Sequence, residues 1–121
     1  MLRKAPAMTL LEQQMIFARN IGLLLQFISK SPYKCTLGEV YRTPKQAALN
    51  AQEGSGIVNS LHCERLAIDI NLFKDGKYLK DSKDYATIGA YWKSLHILNS
   101  WGGDFHTRPD GNHFQMQLYK G

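Results

Sequence analysis

From Leu66 to Phe73 the chain alternates. Leu66, Ile68, Ile70 and Leu72 fall on one face of an extended strand, and Ala67, Asp69, Asn71 and Phe73 on the other. His113 to Tyr119 alternates in the same way: Phe114, Met116 and Leu118 oppose His113, Gln115 and Gln117. Each strand thus has an apolar face to bury and a polar face left over. Lys34 to Thr43 is rich in strand formers and predicts a third strand. Helical spacing marks two longer segments. Leu11, Met15, Ala18, Gly22, Leu25 and Ile28 predict a buried stripe on a helix that opens at the capping box Thr9–Glu12 and runs to about Ser29, before Pro32. Tyr85, Ile88, Trp92 and Leu95 predict the stripe of another, from Asp81 or Ser82 to about Asn99, with His96 half-buried at its flank. Thr43-Pro44, a good N-cap followed by a residue suited to the first helical position, opens a short helix to about Glu53.

The punctuation between these segments is equally plain. Gly54, Ser55 and Gly56 make a loop towards Ser60, and Lys74 to Lys77 a turn. Trp101 to Phe105 is a glycine bend expected to enter a strand, and Thr107 to Asn112 a loop. The order αβαβαββ predicts an α+β fold: a small antiparallel sheet with helices packed on one face, the polar faces free to carry a site. Residues 1–121 are read as a single domain.

Composition changes this picture little: 44% hydrophobic and 21% charged residues are ordinary for a soluble globular protein. The net charge of +5 and pI of about 9.3 favour polyanionic surroundings: nucleic acid, an anionic membrane or an acidic cell wall. The basic residues are scattered, so no nucleic-acid tail is indicated. Cys35 and Cys63 have neither metal-type spacing nor a disulfide framework and are expected as free thiols. Arg3 and Lys4 precede a stretch broken by Glu12, Gln13, Gln14, Arg19 and Asn20, so no signal peptide and no integral membrane segment are expected. The expectation is a soluble monomer with no nucleic-acid partner.

A carboxylate in mid-strand needs a reason. Asp69 and His113 both lie on polar faces, and if their strands pair they can be neighbours. His62 precedes Asp69 by an odd number of residues, so a straight strand would point it the wrong way; a bend near Cys63 to Arg65 is required. His62, Asp69 and His113 then offer three N/O ligands with an open fourth position, which suits a catalytic rather than a structural zinc ion. His106 is the main rival for the third place. Asp110, across a Gly-Asn turn from His113, can serve as general base and then proton donor. Arg42 is a candidate for pairing with a substrate carboxylate, and Ser60 for orienting substrate or loop. Cys63 is read as a packing thiol. Singly, each of these residues has an ordinary structural role: a core histidine, a salt-bridged carboxylate, an Asp-Gly turn, a surface arginine.

The stretch Ser60-x-His62-x6-Asp69, followed by Trp101 and Asp110-x-x-His113, resembles the zinc peptidases of the D-Ala-D-Ala carboxypeptidase and L-alanyl-D-glutamate endopeptidase family, and among them small phage endolysins. Their fold is shared with the hedgehog signalling domain. The similarity runs from about Glu39 to Leu118 and includes Tyr41-Arg42-Thr43-Pro44. The resemblance implies that His62, Asp69 and His113 bind zinc, that Asp110 is the catalytic acid/base where many relatives have glutamate, and that Arg42 contacts the peptide; Ser60 matches the serine near the first ligand. It implies a bacteriolytic hydrolase acting on the peptidoglycan stem peptide, stored in the host cytoplasm until released to the wall, with L-Ala-D-Glu the expected bond. Arg65 stands where the family commonly has glycine. D-Ala-D-Ala carboxypeptidase action, a non-catalytic wall-binding module of the same fold and a basic metal-dependent nuclease are the competing readings.

Overall fold

The structure is a computed structural model and describes residues 7–54 and 60–120. Helix α1 spans Leu10–Ser29, strand β1 Lys34–Leu37, helix α2 Pro44–Gln52, β2 Ala67–Lys74, β3 Lys77–Tyr78, α3 Ala86–Ser94, β4 Asn99–Trp101 and β5 His113–Met116. The strands form one antiparallel sheet in the order β1-β2-β5-β4, with β3 also paired to β2. The α+β class and the antiparallel sheet are as the sequence implied. β5, late in sequence, is inserted between β2 and β4.

The alternation in β2 and β5 is what builds the core. Ile68, Ile70, Leu72, Phe114 and Met116 are buried against Phe17, Leu24 and Ile28 of α1 and Ile88 and Trp92 of α3. Trp92 is the central piece. Its ring meets Phe17 and Phe114 edge-on, and its Nε1–H donates to the carbonyls of Ser100 (3.0 Å) and Gln115 (3.1 Å), tying β4 to β5. The Tyr85 hydroxyl accepts from Leu72 N and donates to Leu79 O, so a side chain completes the backbone pairing beside β3.

Both expected N-caps form: Thr9 Oγ1 accepts from Glu12 N, and Thr43 Oγ1 from Gln46 N. The buried stripe of α1 differs from the expected one. Leu11 and Met15 are 60% and 61% exposed, while Gln13, Phe17, Asn20, Leu24 and Ile28 face inwards. The helix is apolar over most of its circumference, so spacing alone does not fix its rotation. The polar members of the true stripe settle it: Gln13 donates to Gln117 O and accepts from Tyr119 N, both at 2.9 Å, pinning the segment after β5.

Four more expectations are corrected. The strand read over Lys34 to Thr43 stops at Leu37: beyond it Gly38 N donates to Asp69 O and Glu39 O accepts from Asp69 N, so two residues stand against one and the regular pairing breaks, with Gly38 so close that a Cβ would lie 3.0 Å from the Asp69 Cβ. The helix read to Asn99 is a 3₁₀ turn, Ser82–Tyr85, followed by α3, which ends at Ser94; Asn99 opens β4 and donates its amide back to Trp92 O. The bend at Gly102 and Gly103 therefore leaves a strand rather than entering one, and the last strand ends at Met116 rather than Tyr119. The loop read over residues 54–56 lies partly outside the described residues, as do Arg3 and Lys4.

Candidate metal centre

Asp69 and His113 are direct partners in the β2–β5 register. The neighbouring backbone bonds, Ile70 N to Asn112 O and Met116 N to Leu66 O, alternate with them. Asp69 spends its own N–H and C=O on the other side, with Glu39 O and Gly38 N. Asp69 and His113 are thus a non-hydrogen-bonded pair, the kind whose side chains stand closest. The Asp69 Oδ1 to His113 Nδ1 distance is 3.3 Å.

His62 arrives by another route. Residues Leu61–Glu64 make one 3₁₀ turn, opened by buried Ser60, whose Oγ accepts from His62 N. Arg65 then adopts the left-handed conformation (φ 56°, ψ 36°) and turns the chain into β2. This is the bend the odd spacing demanded, made by an arginine. Its guanidinium lies 4.1 Å from the centroid of the Tyr41 ring. His62 Nε2 ends 3.4 Å from Asp69 Oδ1.

His62, Asp69 and His113 each offer one ligand atom, all within 4.8 Å of one another. At zinc–ligand distances of about 2.0–2.1 Å, a tetrahedral ion separates its ligand atoms by about 3.3–3.4 Å. The two edges at Asp69, 3.4 Å and 3.3 Å, match that separation. The outer ring nitrogens are also engaged: His62 Nδ1 lies 3.1 Å from Val40 O and His113 Nε2 lies 2.7 Å from Gln115 Oε1. Each histidine that donates from its outer nitrogen turns a lone pair inwards, as metal-binding histidines do. The residues present fit a zinc ion.

The electrostatics are those of a proton-rich cluster. Burial alone would raise the Asp69 carboxyl, but the hydrogen bonds and charges of His113 and His62 outweigh it and hold its pKa at about 2. Burial disfavours charge on His113, yet the Asp69 and Gln115 hydrogen bonds raise its pKa above the ordinary histidine value. Asp110 is raised, first by partial burial of its carboxyl and further by the charge of Asp69, against the opposing pull of His113 and His62.

These residues line a cleft of about 700 Å³ together with Arg42, Ser60, Leu61, Phe105, Arg108, Leu118 and Lys120. Asp110 is placed by Gly102: a Cβ there would stand 2.1 Å from Asp110 O and 2.9 Å from the His113 Cβ. Trp101 Nε1 fixes the same loop by donating to Gly111 O at 2.7 Å. Arg42 reaches the cleft, but Glu39 engages its Nε at 2.8 Å and also its Nη2. His106 is exposed and outside the cluster, which removes the rival third ligand. Cys35 and Cys63 are free thiols, partly buried. Glu39 and the Gln115–Ser100 pair escaped the sequence reading. Gln115 was legible as a same-face neighbour of His113; Glu39 had no comparable signal.

The crystal structure of the Serratia marcescens L-Ala D-Glu endopeptidase ChiX superposes with a TM-score of 0.70 at 24% identity, over 84% of this chain and 77% of that one. That likeness establishes the fold. No curated protein matches the chain. Residues 53–116, more than half of the sequence, match the family described as D-alanyl-D-alanine carboxypeptidase, and the match spans His62, Asp69, Asp110 and His113. The chain belongs to the D-alanyl-D-alanine carboxypeptidase family of peptidoglycan peptidases.

Proposed function

We propose that the protein is a zinc-dependent peptidoglycan hydrolase that cuts the stem peptide, with the L-Ala-D-Glu bond as its target. The observation that carries this reading is the Asp69-centred cluster, with two ligand edges of tetrahedral length on the floor of a cleft that Asp110 also lines. His62, Asp69 and His113 would hold the zinc ion. When bound there, zinc supplies Lewis-acid activation of water and of a carbonyl oxygen.

The chain's own residues supply the rest. Asp110 takes the proton from the attacking water and delivers it to the leaving amine; its raised pKa brings it closer to the working pH of such a shuttle. Arg42, Arg108 and Lys120 surround the cleft with positive charge, while Leu61, Phe105 and Leu118 give it apolar wall. That combination suits a peptide with several carboxylates and small apolar side chains, which is the character of a stem peptide. Arg42 orients a substrate carboxylate while Glu39 holds its guanidinium in place. Ser60 supports the first ligand from behind. We read the enzyme as a phage endolysin acting as a monomer, held in the host cytoplasm and released to the wall, where its net charge of +5 favours adsorption.

The endopeptidase assignment leans on the likeness to ChiX. The family description favours a second reading, D-Ala-D-Ala carboxypeptidase action. Mass spectrometry of muropeptides decides between them. Zinc-loaded protein should release fragments with new D-Glu amino termini, a chelator should stop this, and added zinc should restore it. Release of terminal D-Ala alone would establish the carboxypeptidase, and no release by zinc-loaded protein would exclude both.

A further inference from the structure

Gln115 lies two residues beyond His113 on the same face of β5. Its backbone is anchored by Trp92 Nε1, which donates to Gln115 O at 3.1 Å. Its side-chain amide is anchored separately. Gln115 Nε2 donates to Ser100 Oγ at 2.9 Å, and the same hydroxyl accepts from Gln117 Nε2 at 3.1 Å. With its nitrogen on Ser100, the amide turns its oxygen to His113, 2.7 Å from Nε2. A carbonyl oxygen accepts and never donates. In this orientation of the amide, a neutral His113 carries its proton on Nε2, which leaves Nδ1, the nitrogen 3.3 Å from Asp69, as the lone-pair end of the ring. A reversed amide would push the proton to Nδ1, between the ring and Asp69, where it would exclude a metal ion.

We propose that Gln115, held by Ser100, is the positioning residue that fixes His113 in its metal-binding tautomer and so sets the metal affinity of the site. This rests on the zinc reading above, and two separate measurements keep the two apart. The first is zinc affinity, by competition against a chromophoric chelator, for the unaltered protein, Gln115→Leu, Gln115→Glu and Ser100→Ala. The second is the ring ¹⁵N shifts of His113 in the zinc-free proteins, at a pH where the ring is neutral.

Gln115→Leu should bind zinc about 10- to 100-fold more weakly and lose the single Nε2–H tautomer. Gln115→Glu, which can only accept, should restore both. Ser100→Ala should shift the tautomer in the same direction as Gln115→Leu, to a smaller extent. A folded Gln115→Leu with unchanged affinity and an unchanged tautomer would overturn the proposal, as would failure of Gln115→Glu to rescue. An unaltered protein that binds no zinc would remove the zinc reading, while the ring shifts would still decide whether Gln115 sets the tautomer.

Discussion

At the scale of single residues, three groups in the cleft, Asp69, Asp110 and His113, are held away from their ordinary pKa values. Zinc requires the unprotonated forms of its ligands. Because the pKa of His113 is raised, protons begin to compete above the usual value of about 6.5. Zinc affinity should therefore climb with pH through that region and level off once His113 is neutral. Metal-free stability should move the other way. A raised histidine contributes stability that is complete below its unfolded value of about 6.5 and lost as pH rises through the folded value. Asp69, depressed to about 2, contributes stability above about pH 4 that is lost only as pH falls towards 2. The metal-free unfolding midpoint should fall as pH rises above about 6.5; a rise there, seen by thermal denaturation, would contradict this account. Asp110 calls for a different measurement. Asp110→Ala should cost about 100-fold or more in turnover while zinc content by elemental analysis stays at one ion per chain. Loss of zinc together with activity would make Asp110 structural.

At the scale of elements, the 3₁₀ turn and Arg65 deliver His62 to Asp69. A left-handed residue other than glycine costs about 1 kcal/mol or somewhat more, and here the stacking on Tyr41 offsets part of that cost. Arg65→Gly trades the lost stacking for relief of the backbone, so it should change stability by less than about 1 kcal/mol. Arg65→Val, β-branched and unable to stack, should destabilise by about 2 kcal/mol and weaken zinc binding, both checked by chemical denaturation and zinc titration. Much of this region was legible beforehand. Alternation placed Asp69 and His113 on polar faces, and the odd spacing from His62 required a bend. The pairing itself was not legible, because strand order depends on contacts far apart in sequence. The rotation of α1 failed for a different reason. Leu11 and Met15 satisfy helical spacing as well as Phe17 and Leu24 do, and the deciding contacts are those of Gln13 with residues 117 and 119, at the far end of the chain. The end of α3 at Ser94 was hidden too, since nothing local distinguishes Leu95 to Leu98 from helix.

For the whole molecule, the cationic walls of the cleft and the net charge of +5 act together on approach to an anionic polymer. Attraction of this kind is screened within about 8–10 Å at physiological salt. Adsorption to purified walls, followed by sedimentation, should weaken steadily as sodium chloride is raised, whereas cleavage of a short soluble stem peptide should depend on salt much less. Equal salt dependence for both substrates would place the effect in the cleft alone. Among the described residues, no helix is long and apolar enough to cross a membrane.

The placement of β5 between β2 and β4 also bears on how the protein is made. During synthesis, β2 and β4 emerge before the strand that joins them, so each waits with an open edge and an apolar face. The candidate metal centre comes together only once β5 is made, because His113, one of the three residues that would hold the ion, lies on that strand. A chain cut short before His113 keeps two unpaired edges that invite pairing with other copies.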